Sequence, residues 1–129
     1  MKFIVPFGRL CFAAIFIAAS FGHFSAESIG YAASQGVPMP GMLVPLSGLM
    51  SLVGGLSVLL GYKARYGACL LVLFLIPVTL MMHKFWGVTD PKVAIIQLSM
   101  FMKNLSMFGA ALLITYFGAG PLSIDHNQK

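Results

Sequence analysis

The stretch "VAIIQLSMFMKNLSMFGAALLITYF", residues 93–117, carries one charged side chain, Lys103, in 25 positions. A helix needs about 20 apolar residues to cross roughly 30 Å of hydrocarbon, so this stretch is long enough to span a bilayer with a lysine and an asparagine inside it. The residues just before it, Asp90-Pro91, read as a capping carboxylate followed by proline at the first helical position. Three further apolar stretches run over about residues 3–22, 42–60 and 66–83. The reading is an all-α polytopic membrane protein: a four-transmembrane-helix bundle forming a single integral-membrane domain over residues 1–129.

Composition agrees with that reading. The chain is 59% hydrophobic and 9% charged, with three acidic side chains in all, and its mean hydropathy is +0.93. Those values exclude a disordered chain and an ordinary water-soluble core. The net charge of +5 comes from eight scattered Lys and Arg with no basic run, which argues against nucleic-acid binding and bears instead on membrane orientation.

Between the first two spans lies "FSAESIGYAASQGVPMPGM", residues 24–42, too polar to span. A short interfacial helix from about Ala26 to Gln35, stopped by Gly36, Pro38 and Pro40, is expected there. The link "GYKAR" is so short that the second and third spans must be antiparallel neighbours. Ser47, Ser51 and Gly55 recur every fourth residue, with Gly48 and Gly54 beside them, a pattern that permits close helix approach. Pro77 is expected to bend the third span and free a carbonyl near Leu73. The amino terminus imitates a secretory signal. Arg9 interrupts its apolar run, however, and the cleavage site near Ser20 is weak, so it reads as a retained span.

Lys2, Arg9, Lys63, Arg65 and Lys129 fall on one side under this topology, and Lys84 and Lys92 on the other. By the bias in basic residues both termini are expected in the cytoplasm. The opposite end then gathers His23, Glu27, His83 and Trp86, and the other end shows nothing comparable. On a helical plot, Leu98, Leu105 and Leu112 share an arc with Phe101 and Phe108, suited to lipid. Gln97, Asn104 and Lys103 take the other half, which directs Lys103 into the bundle or toward a water-filled cavity. Asn104 lies about 20° from Gln97 on that plot.

These residues permit two uses. Lys103, Asn104, His83, His23, Gln97 and Glu27, with Trp86 as a wall, compose a polar ligand site: an ammonium and an amide can hold a quinone carbonyl, and an imidazole can supply a proton. Alternatively, the same groups hold helices in register by hydrogen bonds, in a non-catalytic anchor or scaffold for partner proteins. Metal binding and small-solute transport come third. No His pair has i, i+4 spacing, so no metal site is assigned. Cys11 and Cys69 are isolated and no inward His pair suits haem, so neither a disulfide centre nor a haem is expected. "Small-xxx-small" faces on the first two spans (Ala14, Ala18 and Gly22 on the first) would serve internal packing or a homo-oligomer.

In order along the chain, "GRL" (8–10), Gly22-His23, "GVP" (36–38), "GGLSVLLG" (54–61), "H-x-FW" (83–86), "Q-x5-KN" (97–104) and "GxGPLSID" (118–125) resemble the DoxX family of small bacterial inner-membrane proteins. The resemblance covers nearly the whole chain. It implies a four-helix fold in the bacterial cytoplasmic membrane and a role as a subunit of a quinone-linked or oxidative-stress oxidoreductase, not as a self-sufficient enzyme. Soluble or membrane oxidoreductase subunits would be the partners and quinone the cofactor. The family pattern commonly has Lys where this chain has His23, and an acid at Ser51.

Overall fold

The computed structural model describes residues 1–127 and is helical throughout, without strands among the described residues. Lys129, counted in the charge bias, lies outside the described residues. Helix α1 (Ile4–Ser20) runs on through a 3-10 turn (Phe21–Phe24). A short α2 (Ala26–Ser34) follows, then α3 (Pro40–Leu60), α4 (Ala64–Met82), α5 (Pro91–Phe117) and a terminal turn α6 (Ile124–Asn127). Four of these elements are long and apolar enough to cross a membrane. Many of their Leu, Ile, Phe and Met side chains are exposed on the protein surface, as they must be where lipid is the solvent and would not be in water. The chain is a multi-pass membrane protein.

Local chemistry sets the helix ends. Ser25 caps α2 by accepting from the Ser28 amide at 3.1 Å. Asp90 caps α5 by accepting from the Lys92 amide at 2.9 Å, with Pro91 at the first helical position, so both helix starts are satisfied as N-termini require.

The helices pack in chain order: α1 on α3, α3 on α4, and α4 on α5. In lipid no hydrophobic force draws helices together, so close backbone approach and interhelical hydrogen bonds decide the packing. Helix α3 supplies both. A Cβ on Gly48 would lie 2.6 Å from His23 Cβ, and one on Gly55 would lie 2.9 Å from Ile17 Cγ1. Gly54 faces Leu71 and the Gly67 carbonyl of α4 just as closely. Between the glycines, buried Ser51 donates to the Phe16 carbonyl at 2.8 Å. The core formed around these contacts is Phe16, Val58, Ala68, Leu71, Phe74, Leu75 and Ala111.

Helix α5 turns Gln97 and Asn104 inward as expected, but with the two phenylalanines in place of Lys103. Its buried or half-buried positions include Ala94, Gln97, Phe101, Asn104, Phe108, Ala111 and Thr115, a 3-4 repeat that is the seam of a helix packed on one neighbour. Phe101 and Phe108, expected toward lipid, lie on this seam. Lys103, expected inside, is exposed. The reason is that α5 rests chiefly on α4, and a single partner covers a narrow stripe that admits Asn104 but excludes the residue 100° away.

The end of the bundle that carries both termini was expected to lack a polar cluster, and that expectation fails. Arg9 is 6% exposed and donates from Nη1 to the Ala119 carbonyl at 2.8 Å and from Nη2 to the Leu122 carbonyl at 2.6 Å. The Asp125 carboxylate accepts from the Lys63 amide at 2.8 Å and the Ala64 amide at 3.0 Å, capping α4, while its own amide donates to the Gly61 carbonyl at 2.8 Å. Gly61 has φ +66, and a Cβ there would strike Ser123 and approach Arg9 Nη1, so only glycine fits.

Candidate functional site

At the end opposite the termini, α2 packs on α3 and on the 3-10 turn that extends α1, and together with α4 these line a cavity of about 760 Å³. Its wall is mostly apolar (Met50, Phe74, Pro77 and Val78 among others), with His23, Glu27, Tyr31, Ser47 and His83 among its polar members. Leu46 and Leu73 also line it and are exposed on the outer surface of α3 and α4, so the cavity borders the lipid-facing side. Pro77 has no N–H, which leaves the Leu73 carbonyl of this wall without its helical donor.

His23 stands on the 3-10 turn that extends α1, seated where Gly48 has no side chain. Its Nδ1 is 2.8 Å from Ser47 Oγ, and that hydroxyl spends its single proton on the Val44 carbonyl at 2.6 Å. Ser47 Oγ can therefore only accept, and His23 Nδ1 is the donor. The ring packs on Phe74, with centroids 5.7 Å apart.

His83, at the end of α4, is fixed in the same tautomer by a different partner. Its Nδ1 donates to Gln97 Oε1 of α5 at 3.0 Å, and Gln97 Nε2 donates onward to the Tyr31 hydroxyl of α2 at 3.3 Å. Lys84 Nζ donates to the Gln35 carbonyl at 3.1 Å. These two links moor α2 over the cavity. In both histidines the Nδ1–H is committed within the protein, which leaves Nε2 as the ring atom for a ligand, an acceptor when the ring is neutral.

The residues singled out from the sequence divide accordingly. His23, Glu27 and His83 line one cavity, and Gln97 supports it through His83. Trp86 stands apart, stacked edge-on against Phe85 and Phe101. Asn104 is buried at 4% exposure, on the seam of α5. Lys103 sits outside, about 9 Å along α5 from Gln97, with Nζ 3.3 Å from Met100 Sδ. Met100 lies one turn toward the Gln97 end, so the lysine side chain runs back along the exposed face of its own helix. Tyr31 and Ser47 complete the site; the sequence marked Ser47 only as part of the small-residue repeat that lets helices approach, and Tyr31 not at all.

The comparisons with known proteins agree with this architecture. The DoxX family model matches residues 4–84. Inner membrane protein YqjF of Escherichia coli (strain K12) is 32% identical, with 94% of this chain and 90% of that protein covered. Inner membrane protein YphA of the same organism is 30% identical over 98 residues, covering 76% of this chain and 69% of that protein. ER-derived vesicles protein ERV29 of Saccharomyces cerevisiae is 30% identical over 81 residues, 63% of this chain but 26% of its own length. No solved structure matches the chain. With the family pattern extending from the first helix past His83, and with two relatives matched over most of their length, the chain belongs to the DoxX family.

Proposed function

We propose that this protein works in the inner membrane as the membrane subunit of a quinone-linked oxidoreductase system, and that the cavity under α2 receives the headgroup of a lipid-borne quinol. The observation that carries this reading is the pair of imidazoles on one largely apolar wall, each with Nδ1–H tied back and Nε2 open. A neutral Nε2 accepts a hydrogen bond from a phenolic hydroxyl and can act as the base that takes that proton as the headgroup is oxidised. Leu46 and Leu73 give the isoprenoid tail a path to lipid. Electrons pass to a partner subunit, because so small a chain leaves the redox centre to others. Both termini face the cytoplasm in this reading, which puts the cavity on the outer side.

The test is photo-crosslinking with an azido-quinone in native membranes. Label on peptides spanning residues 22–31 and 77–83, displaced by excess unmodified quinol, is expected. Label confined to the exposed surface of α5 would refute the assignment. A scaffold role is the second reading, favoured because His23–Ser47 and His83–Gln97 also tie helices together. It predicts no displaceable label.

A further inference from the structure

The other end of the molecule holds a second, differently charged recess. A cavity of about 640 Å³ is lined by Lys63, Arg65 and His126 together with the Gly118–Gly120 loop. A groove of about 570 Å³ adjoins it along Leu112, Thr115 and Tyr116 of α5, and the two share Arg65 and Phe117. The recess thus has a basic upper part and an apolar lower part, joined at one arginine.

Three observations place the join at the level of lipid headgroups. Tyr66, Tyr116 and Phe117 are all at least 70% exposed, forming the aromatic belt that marks a membrane–water interface. From Phe117 the groove descends to Leu112, five residues or about 8 Å toward the bilayer centre. The cations are also uncommitted: among the described residues Lys63 Nζ meets only the Tyr62 ring, 5.7 Å away. The Asp125 carboxylate beside them is held by the Lys63 and Ala64 amides. Arg65 lies against Gly118, where a Cβ would sit 3.2 Å from its Nε, so the glycine leaves room for the arginine side chain that lines the recess.

We infer that this recess binds the phosphodiester of an anionic phospholipid, with Arg65 and Lys63 on the phosphate and an acyl chain in the groove beside Leu112 and Tyr116. Basic pockets between helix ends at this level are built for such headgroups.

The protein in mild detergent should be titrated with short-chain phosphatidylglycerol, short-chain phosphatidylcholine and inorganic phosphate, reading thermal unfolding and bound lipid by native mass spectrometry. Phosphatidylglycerol is expected to raise the melting temperature and remain bound. Arg65→Gln should weaken it about five-fold, and the Lys63→Gln/Arg65→Gln pair about thirty-fold. Leu112→Trp, which leaves every basic group in place, should also weaken it. Lys92→Gln, at the opposite end, should not. Equal binding of phosphatidylcholine would overturn the charge assignment. Inorganic phosphate reproducing the full shift would show that free phosphate and not a lipid is the ligand, and Leu112→Trp binding phosphatidylglycerol like wild type would overturn the placing of an acyl chain in the groove.

Discussion

Arg9, in the second turn of α1, donates to the carbonyl of Ala119 at 2.8 Å across 110 residues of chain, so the first and last parts of the sequence are fastened to each other. The "GRL" and "GPLSID" motifs, which look independent in the sequence, are two halves of one contact. Arg9 also holds the carbonyl of Leu122, whose φ of +52 lies in the left-handed region that costs a branched side chain energy.

Replacing Arg9 with Met removes two charge-assisted hydrogen bonds and leaves their carbonyls unmet. A loss of about 3 kcal/mol is expected in equilibrium unfolding of the detergent-solubilised protein. Arg9→Lys should recover roughly half of that, keeping one bond. Unchanged stability in Arg9→Met would mean that the clamp is not needed.

Asp125 acts as a cap supplied from the far end of the chain. Asp125→Ala frees the amides of Lys63 and Ala64 and should cost about 1 kcal/mol, with Asp125→Asn in between. Hydrogen exchange should then speed up at the first turn of α4 and leave the start of α5, capped by Asp90, untouched.

Two glycines separate packing from propensity. Gly54→Ala places a methyl 2.8 Å from Leu71 and 2.9 Å from the Gly67 carbonyl and should destabilise by about 1–3 kcal/mol. Gly109→Ala meets nothing within 4 Å and should be neutral or stabilise by up to about 1 kcal/mol through helix propensity. Thermal unfolding of the two variants side by side gives the comparison, and a reversed order would contradict the α3–α4 packing.

Lys103→Met should change stability by no more than about 0.5 kcal/mol, because the ammonium is exposed and its contact is Met100 Sδ of its own helix, with no bond to another helix. It should also leave ligand in the α2 cavity. A large loss of either would return the lysine to the interior.

The four spans, the short helix between the first two and the cap at Asp90 could be read from the sequence, because hydropathy and capping are local properties. The inward face of α5 could be read only in part: Gln97 and Asn104 lie on it, and Lys103 does not. A helical plot divides the surface into polar and apolar halves, but in lipid an apolar residue gains nothing by turning inward. Phe101 and Phe108 therefore fit the α4 seam while Lys103 extends along the outer surface. His23, Glu27 and His83 were legible as a group because polar side chains are rare in such a chain. Tyr31 and Ser47 were not, and neither was Arg9, whose partners are main-chain carbonyls that no pattern of side chains reveals.

The most direct test is to extract and quantify quinone from protein purified gently from its own membranes, comparing wild type with Lys103→Met, His83→Leu and the cavity-filling Met50→Trp. Near-stoichiometric quinone is expected in wild type and Lys103→Met, with most of it gone from the other two although they remain folded. Quinone absent from wild type, or retained in full by Met50→Trp, would contradict a quinol site beneath α2.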